Sequence, residues 1–208
     1  MIKRYKLFLV NQQNKEIDSI CKKYGIRNYT INEDGTVDVD GNVRLYRKGL
    51  TELPLKFGRI TGKFSCEFNQ LTSLEGSPKW VGKDFNCGNN EIKSLEGGPE
   101  FVVGDYYSHT NKLVNFKGFP EDFEGFSNFT SNPVYYIIIN IPEEKRNKFI
   151  YWCNELNAID DDGNVNEEWM EEVYYRIGLD YTKKNVAVSD LSSQIIRDYW
   201  SSYIETSQ

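Results

Sequence analysis

Histidine occurs once in these 208 residues, at His109, and the four cysteines, Cys21, Cys66, Cys87 and Cys153, contain no CxxC pair. A cysteine and histidine zinc site needs closely spaced ligands, so that class of metal centre is excluded and the thiols read as free and buried. No apolar run approaches the ~20 residues that span a bilayer. The longest are LFLV, Leu7 to Val10, and YYIII, Tyr135 to Ile139. The basic start with LFLV behind it is too short for a signal peptide, and NQQNK follows without a small-residue cleavage site. Neither GxxxxGK[ST] nor GxGxxG is present to cradle a phosphate. These absences lead us to expect a soluble chain in a reducing cytoplasm, with no membrane contact and no cofactor.

Positive charge is also scarce where nucleic acid would need it. Residues 1–132 hold 18 Lys and Arg against 17 Asp and Glu, and residues 133–208 hold 7 against 14. A backbone-phosphate footprint requires a basic excess, so nucleic acid is not an expected partner of either half. What the chain does have is 39% hydrophobic residues and 14% aromatics, enough for a substantial folded core.

It also has a repeat. NQLTSLEGSP, Asn69 to Pro78, returns as NEIKSLEGGP, Asn90 to Pro99, and the 21-residue period extends both ways. Asn69, Asn90, Asn111 and Asn132 form one column; Leu50, Leu71, Ile92, Leu113 and Val134 form another. Upstream stand Val43, Phe64, Phe85 and Tyr106, then Leu45, Cys66, Cys87, Ser108 and Phe129. Phe64-Ser-Cys66 and Phe85-Asn-Cys87 alternate apolar and polar, the signature of a short strand with one face inward. The asparagine amide is placed to satisfy backbone groups of neighbouring coils at the turn. Glu-Gly-Ser-Pro then breaks regular structure, which predicts an extended or tightly turned outer side. Period and pattern together predict a solenoid.

The pattern F-x-C-x-x-N-x-L-x-x-L-x-G-x-P resembles the leucine-rich repeat, and SLEGSP followed by VGKDFNC is most similar to the short repeats of many bacteriophage-encoded proteins. The resemblance spans Asp38 to Tyr135, and Tyr29 to Val43 and LTELP also look like the opening of such proteins. Two departures lie at the ends: Lys48 stands where the asparagine belongs, and the last coil reads NPVYY. The expected fold is therefore α+β, a short parallel-β leucine-rich-repeat solenoid of about five coils with a cap at each end.

Three regions are expected: an N-terminal helix and β-hairpin cap at 1–40, the solenoid at 41–135, and a C-terminal helical cap at 136–208. Ile17, Ile20 and Cys21 predict a helix over Asn14 to Lys23 that Gly25 ends. An Asp34-Gly35 turn predicts a hairpin of Tyr29 to Asn32 with Thr36 to Asp40. After Pro142, apolar spacing predicts helices over Glu143 to Asn157, Glu167 to Ile177 with Trp169 inward, and Leu191 to Ile204.

Candidate chemistry is thin. DDDGNVNEE, Asp160 to Glu168, has the glycine of a calcium loop, but Ala158 and Trp169 occupy the positions where the anchoring carboxylates belong. Ser65, Glu67 and His109 share a face, yet Glu67 and His109 sit two coils, or ~10 Å, apart, too far for a hydrogen-bonded triad. The remaining candidate is the outward strand face, with Arg44, Tyr46, Glu67, Phe68, Asn86, Tyr107 and His109 as binding residues. It is rich in the Tyr and Arg types that dominate interfaces.

The expectation is a non-enzymatic protein-binding module. The resemblance implies a phage-encoded binder or inhibitor of a host defence or regulatory protein. The alternative is a protein that sequesters a small molecule or nucleotide between solenoid and helical cap. Exposed coil ends and an aromatic terminal helix would allow homo-oligomers.

Overall fold

The computed structural model describes residues 2–181, with side-chain surroundings from residue 9 onward. The chain opens with α1 (Ile2–Tyr24), then β1 (Tyr29–Ile31) and β2 (Val37–Val39). From there it alternates between two sheets through β3 (Val43–Arg44), β4 (Phe57–Ile60), β5 (Phe64–Ser65), β6 (Trp80–Val81), β7 (Phe85–Asn86), β8 (Phe101–Val102) and β9 (Tyr106–Tyr107), and β10 (Ser127–Asn128) then joins the sheet of β9. One five-stranded sheet runs β3-β5-β7-β9-β10 and is parallel throughout. The second runs β1-β2-β4-β6-β8, parallel except for the antiparallel β1–β2 hairpin. The result is an α+β molecule built on a parallel-β solenoid.

The register is the 21-residue repeat made physical. Phe64 pairs with Phe85, Phe85 with Tyr106, and Trp80 with Phe101. The coils before β9 thus hold a second strand on the side where the sequence left extended chain and tight turn both open, and the stretch from β9 to β10 does not. Only the hairpin joins out of step: Val37 faces Phe57 while Val39 faces Ile60, a bulge of one residue.

Inside, identical positions stack into ladders. The Phe64 and Phe85 rings lie parallel, 5.7 Å apart and 7° from coplanar, and Tyr106 follows at 4.9 Å from Phe85. All three are fully buried, each worth about 1.5–3 kcal/mol in apolar transfer. Tyr106 carries a hydroxyl that Phe64 and Phe85 lack, and it fits because the facing position is Gly98. A Cβ there would stand 3.3 Å from the hydroxyl oxygen.

The asparagine column joins the coils. Asn90 Oδ1 accepts from Leu71 N at 3.0 Å, and its Nδ2 donates to the carbonyls of Cys66, Cys87 and Gly88 at 3.1, 3.0 and 3.2 Å. Asn69, Asn111 and Asn132 repeat the arrangement, and Asn69 Oδ1 also accepts from the backbone of Lys48, the one irregular residue of the column. Just before each column member the backbone turns left-handed: φ is 50° at Arg47, 54° at Phe68, 55° at Asn89, 53° at Thr110 and 58° at Ser131.

Beyond the solenoid come α2 (Tyr135–Ile138), α3 (Glu143–Glu155) and α4 (Glu167–Arg176). α3 packs on the last coils: Phe149 stacks edge-on to Phe116 at 6.4 Å, and Asn154 donates to the Phe116 carbonyl at 2.9 Å. Asn147 donates to the carbonyls of Phe123 and Gly125 at 3.1 and 3.2 Å. The Asn166 side chain caps α4 by accepting from Trp169 N.

Two expectations are corrected. α1 begins at Ile2 rather than Asn14. Its earlier part lacks the apolar stripe that the reading depended on, yet helix continues where no breaker intervenes. Trp169 is 43% exposed rather than inward, because the buried stripe of α4 runs through Met170, Val173 and Tyr174. The YYIII run forms the short helix α2, with Ile137 and Ile138 buried and Tyr136 and Ile139 exposed. The expected helix Leu191 to Ile204 lies outside the described residues.

Candidate functional site

The outward side of the β3-to-β10 sheet was the face singled out by sequence, and its centre proves largely self-satisfied. Ser65 Oγ donates to Glu67 Oε1 at 3.3 Å, and Asn86 Oδ1 accepts from Gly88 N at 2.9 Å. Tyr107 donates its hydroxyl to Asp105 Oδ2 at 2.9 Å, and that bond raises the phenol pKa above its ordinary value. Glu67, Asn86 and Tyr107 are half-buried.

His109 bends down onto the neighbouring coil. Its ring covers Gly88 so closely that a Cβ on that glycine would lie 2.5 Å from the imidazole Cε1. Nε2 is 3.1 Å from Asn89 Nδ2, and Nδ1 is buried with no partner among the described residues. A ring held flat against backbone is poorly placed to reach a substrate.

The first coils differ. Tyr46 and Phe68, each 41% exposed, meet edge to face at 5.3 Å. Arg47 lays its guanidinium over both rings, 5.1 Å from Tyr46 and 4.8 Å from Phe68. Arg44, also exposed, lies on the same side of the strand run. Of the seven sequence candidates, Arg44, Tyr46 and Phe68 are therefore the exposed ones. Arg47 was missed because its outward placement follows from the left-handed turn, which no shared residue type announces.

The second sheet carries a face on the outer side, which the sequence leaves open between extended chain and tight turn. Arg59 stacks 3.4 Å above the Trp80 ring. Phe101, next in register, is 54% exposed, and Val103 is 66% exposed, whereas Phe126, which leads into β10 of the first sheet, lies 6.2 Å from Tyr107 there. Phe101 also borders a groove of about 730 Å³, open to solvent, between the turns Gly97–Pro99 and Gly118–Pro120 and helix α3. A smaller hollow of about 260 Å³ between the end of α1 and the first coil is lined by Arg27, Asp40 and Arg44.

The four thiols are raised out of the thiolate range, and the Asp160 carboxylate is tied into a turn. Burial pushes the Cys66 thiol up to about 12 and Cys21 to about 11, and Cys87 and Cys153 are also raised by burial. Asp160 Oδ1 accepts from Asp162 N and Asn164 N at 2.9 and 2.8 Å, and Oδ2 accepts from Asn164 Nδ2 at 2.9 Å. These bonds hold its carboxyl below the usual aspartate range, and they shape a turn between α3 and α4. Among the described residues no three His, Cys, Asp or Glu side chains gather as a metal site, and no helix is long and apolar enough to cross a membrane. No family model matches the chain, and neither the curated proteins nor the solved structures searched contain a match.

Proposed function

We propose that this chain is a non-enzymatic leucine-rich-repeat interaction module of about five coils, capped by α1 with the β1–β2 hairpin and by the C-terminal helices. It acts in the cytoplasm of a bacterium as a phage-encoded binder or inhibitor of a host defence or regulatory protein. The observation that carries the binding reading is the exposed Tyr46–Arg47–Phe68 cluster. Aromatic and arginine side chains of this kind are the usual anchors of protein interfaces, and here they are pre-assembled on a rigid sheet end. Phage origin and a host target come only from the sequence resemblance. Fold by itself does not select a partner.

The alternative, sequestration of a small molecule or nucleotide, has a space to point to, since about 730 Å³ is an ordinary ligand volume. The groove is open, however, and its carboxylates repel a nucleotide's phosphates.

The test is native mass spectrometry of the chain purified from a bacterial host, with a parallel preparation carrying Tyr46→Ala and Phe68→Ala. One stoichiometric protein partner, weakened by about thirtyfold or more in the variant, supports the reading. A co-purifying metabolite without protein, or a partner unaffected by the variant, overturns it.

A further inference from the structure

The groove between the solenoid turns and α3 has a composition that selects its occupant. Two lysines face five carboxylates, and both lysines are already engaged: Lys79 by Glu100 at 2.8 Å and Lys117 by Asp161 at 2.6 Å. Among the described residues no ion pair engages Glu121, Asp122 or Glu155, all exposed along the groove. The groove therefore presents a negative field to any approaching chain.

Its apolar lining points to the same chemistry. Besides the buried Phe119, two rings border the groove, Phe101 on the solenoid side and Tyr151 on α3. Each adjoins a ring that the protein itself covers with a guanidinium. Trp80, paired in register with Phe101, carries Arg59 at 3.4 Å, and Trp152, edge-on to Tyr151 at 5.0 Å, carries Arg176 at 4.1 Å. The aromatic surface flanking the groove is thus already used to stack arginine, with free carboxylates beside it. Planar cations on aromatic faces with carboxylates in reach are a favourable arrangement for arginine.

We propose that the groove receives an extended cationic segment of a partner protein, with arginine side chains stacked on Phe101 and Tyr151 and paired with Glu121, Asp122 and Glu155. This rests on the reading of the chain as a protein-binding module and assigns the partner's chemistry at a second contact, separate from the Tyr46–Phe68 cluster. The same five carboxylates disfavour anionic ligands.

The experiment titrates the full chain into fluorescein-labelled hexa-arginine and follows anisotropy, with hexa-citrulline as the neutral isostere and hexa-glutamate as the anionic control. Saturable binding of hexa-arginine is expected, weaker by about tenfold or more in the triple variant Glu121→Gln, Asp122→Asn, Glu155→Gln. The charge-matched triple Glu33→Gln, Glu52→Gln, Glu171→Gln should bind almost as wild type does, and circular dichroism checks that both triples fold. Phe101→Leu with Tyr151→Leu should weaken binding by about fivefold, a loss that charge alone would not produce.

Equal losses in the two triples overturn the proposal in favour of bulk attraction to an acidic protein. So does absence of saturable binding, or binding of labelled hexa-glutamate or hexa-citrulline as tight as that of hexa-arginine. Concentration-dependent self-association that the groove triple abolishes also overturns it, by making a second copy the occupant. Tyr46→Ala with Phe68→Ala should leave hexa-arginine binding intact. If hexa-arginine fails to bind while a stoichiometric partner is captured, only the groove assignment falls. If neither is found, the binding reading falls with it.

Discussion

Two columns of side-chain oxygens bridge coils of this solenoid, the outer one interrupted at Lys63, and they are built differently. The inner one is asparagine in four successive coils, with Asn90, Asn111 and Asn132 buried and every amide bonded to backbone on both sides of a turn. The outer one caps the backbone N–H groups leading into the β3-to-β10 sheet. Asn42 Oδ1 accepts from Lys63 N at 2.8 Å, Asp84 Oδ1 from Asp105 N at 3.3 Å, and Asp105 Oδ1 from Phe126 N at 3.2 Å. Both ladders bridge coils, but only the inner one keeps a single residue type. The reason is solvent. A buried site needs a neutral group with both a donor and an acceptor, which only an amide of this length supplies, whereas at the surface water completes whatever the side chain leaves unmet.

Breaking the inner ladder should have the largest effect. Asn90→Ala strands the Leu71 N–H and the Cys66, Cys87 and Gly88 carbonyls of some of their partners. We expect a loss of about 2–4 kcal/mol in urea unfolding. Asn90→Asp should be at least as damaging, because it replaces a donor with a charge facing carbonyls. Asn86→Ala, four residues away but outward, should cost no more than about 0.5 kcal/mol. If the two alanine variants lose similar stability, the contrast between a buried asparagine that bridges coils and an outward one that bonds within its own coil is wrong.

That contrast also explains what could be read from sequence. Asn69 to Asn132 and Phe64 to Tyr106 were legible because burial narrows the choice at each position and the period repeats it. The left-handed residues Arg47, Phe68, Asn89, Thr110 and Ser131 were not, since the turn repeats while the residue type at that position does not, and even the residue that follows is Lys48 rather than asparagine after Arg47. For the same reason Arg47 was missing from the predicted face. Its place over Tyr46 and Phe68 is set by backbone, while the sequence displays only an arginine next to a lysine. The arginine-stacked face of the second sheet was hidden too: Trp80–Val81 sits between Pro78 and Gly82, with no apolar-polar alternation like that of Phe64-Ser-Cys66 to mark it as strand.

Tyr106 sharpens the comparison within the core. Its hydroxyl is fully buried and finds no partner among the described residues, and Gly98 supplies the room it needs. Tyr106→Phe, matching Phe64 and Phe85, should raise stability by about 1 kcal/mol by removing an unmet polar group. An unchanged or lowered unfolding midpoint would mean that the hydroxyl is satisfied in solution.

A smaller gain is expected where the inner ladder strains the chain it turns. Thr110 holds φ at 53° despite a β-branched side chain. Thr110→Gly should stabilise by about 0.5–1 kcal/mol, the relief of left-handed strain outweighing the extra freedom of the unfolded glycine. Loss of stability instead would show that the Thr110 side chain contributes more than its backbone costs.

The smallest effect lies in the outer ladder and is seen mainly as pH dependence. The Asp84 carboxyl is held below the usual aspartate range, first by its bond to Lys63 and then by the Asp105 N–H, against a desolvation that pushes the other way. A carboxyl depressed in the folded state contributes stability above its unfolded value of about 4, and the contribution is lost as pH falls through the lower folded value. Asp84→Asn should therefore change stability by no more than about 0.5 kcal/mol at pH 7, because the site is partly solvated and the amide oxygen can still accept from Asp105. Below about pH 4 the variant should lose less stability than the wild type. Asn90→Ala removes no titrating group, so its cost should be the same at both pH values. Urea midpoints for the two variants at pH 7 and pH 3 test this: parallel pH responses would mean that the outer carboxylates do not brace the coils.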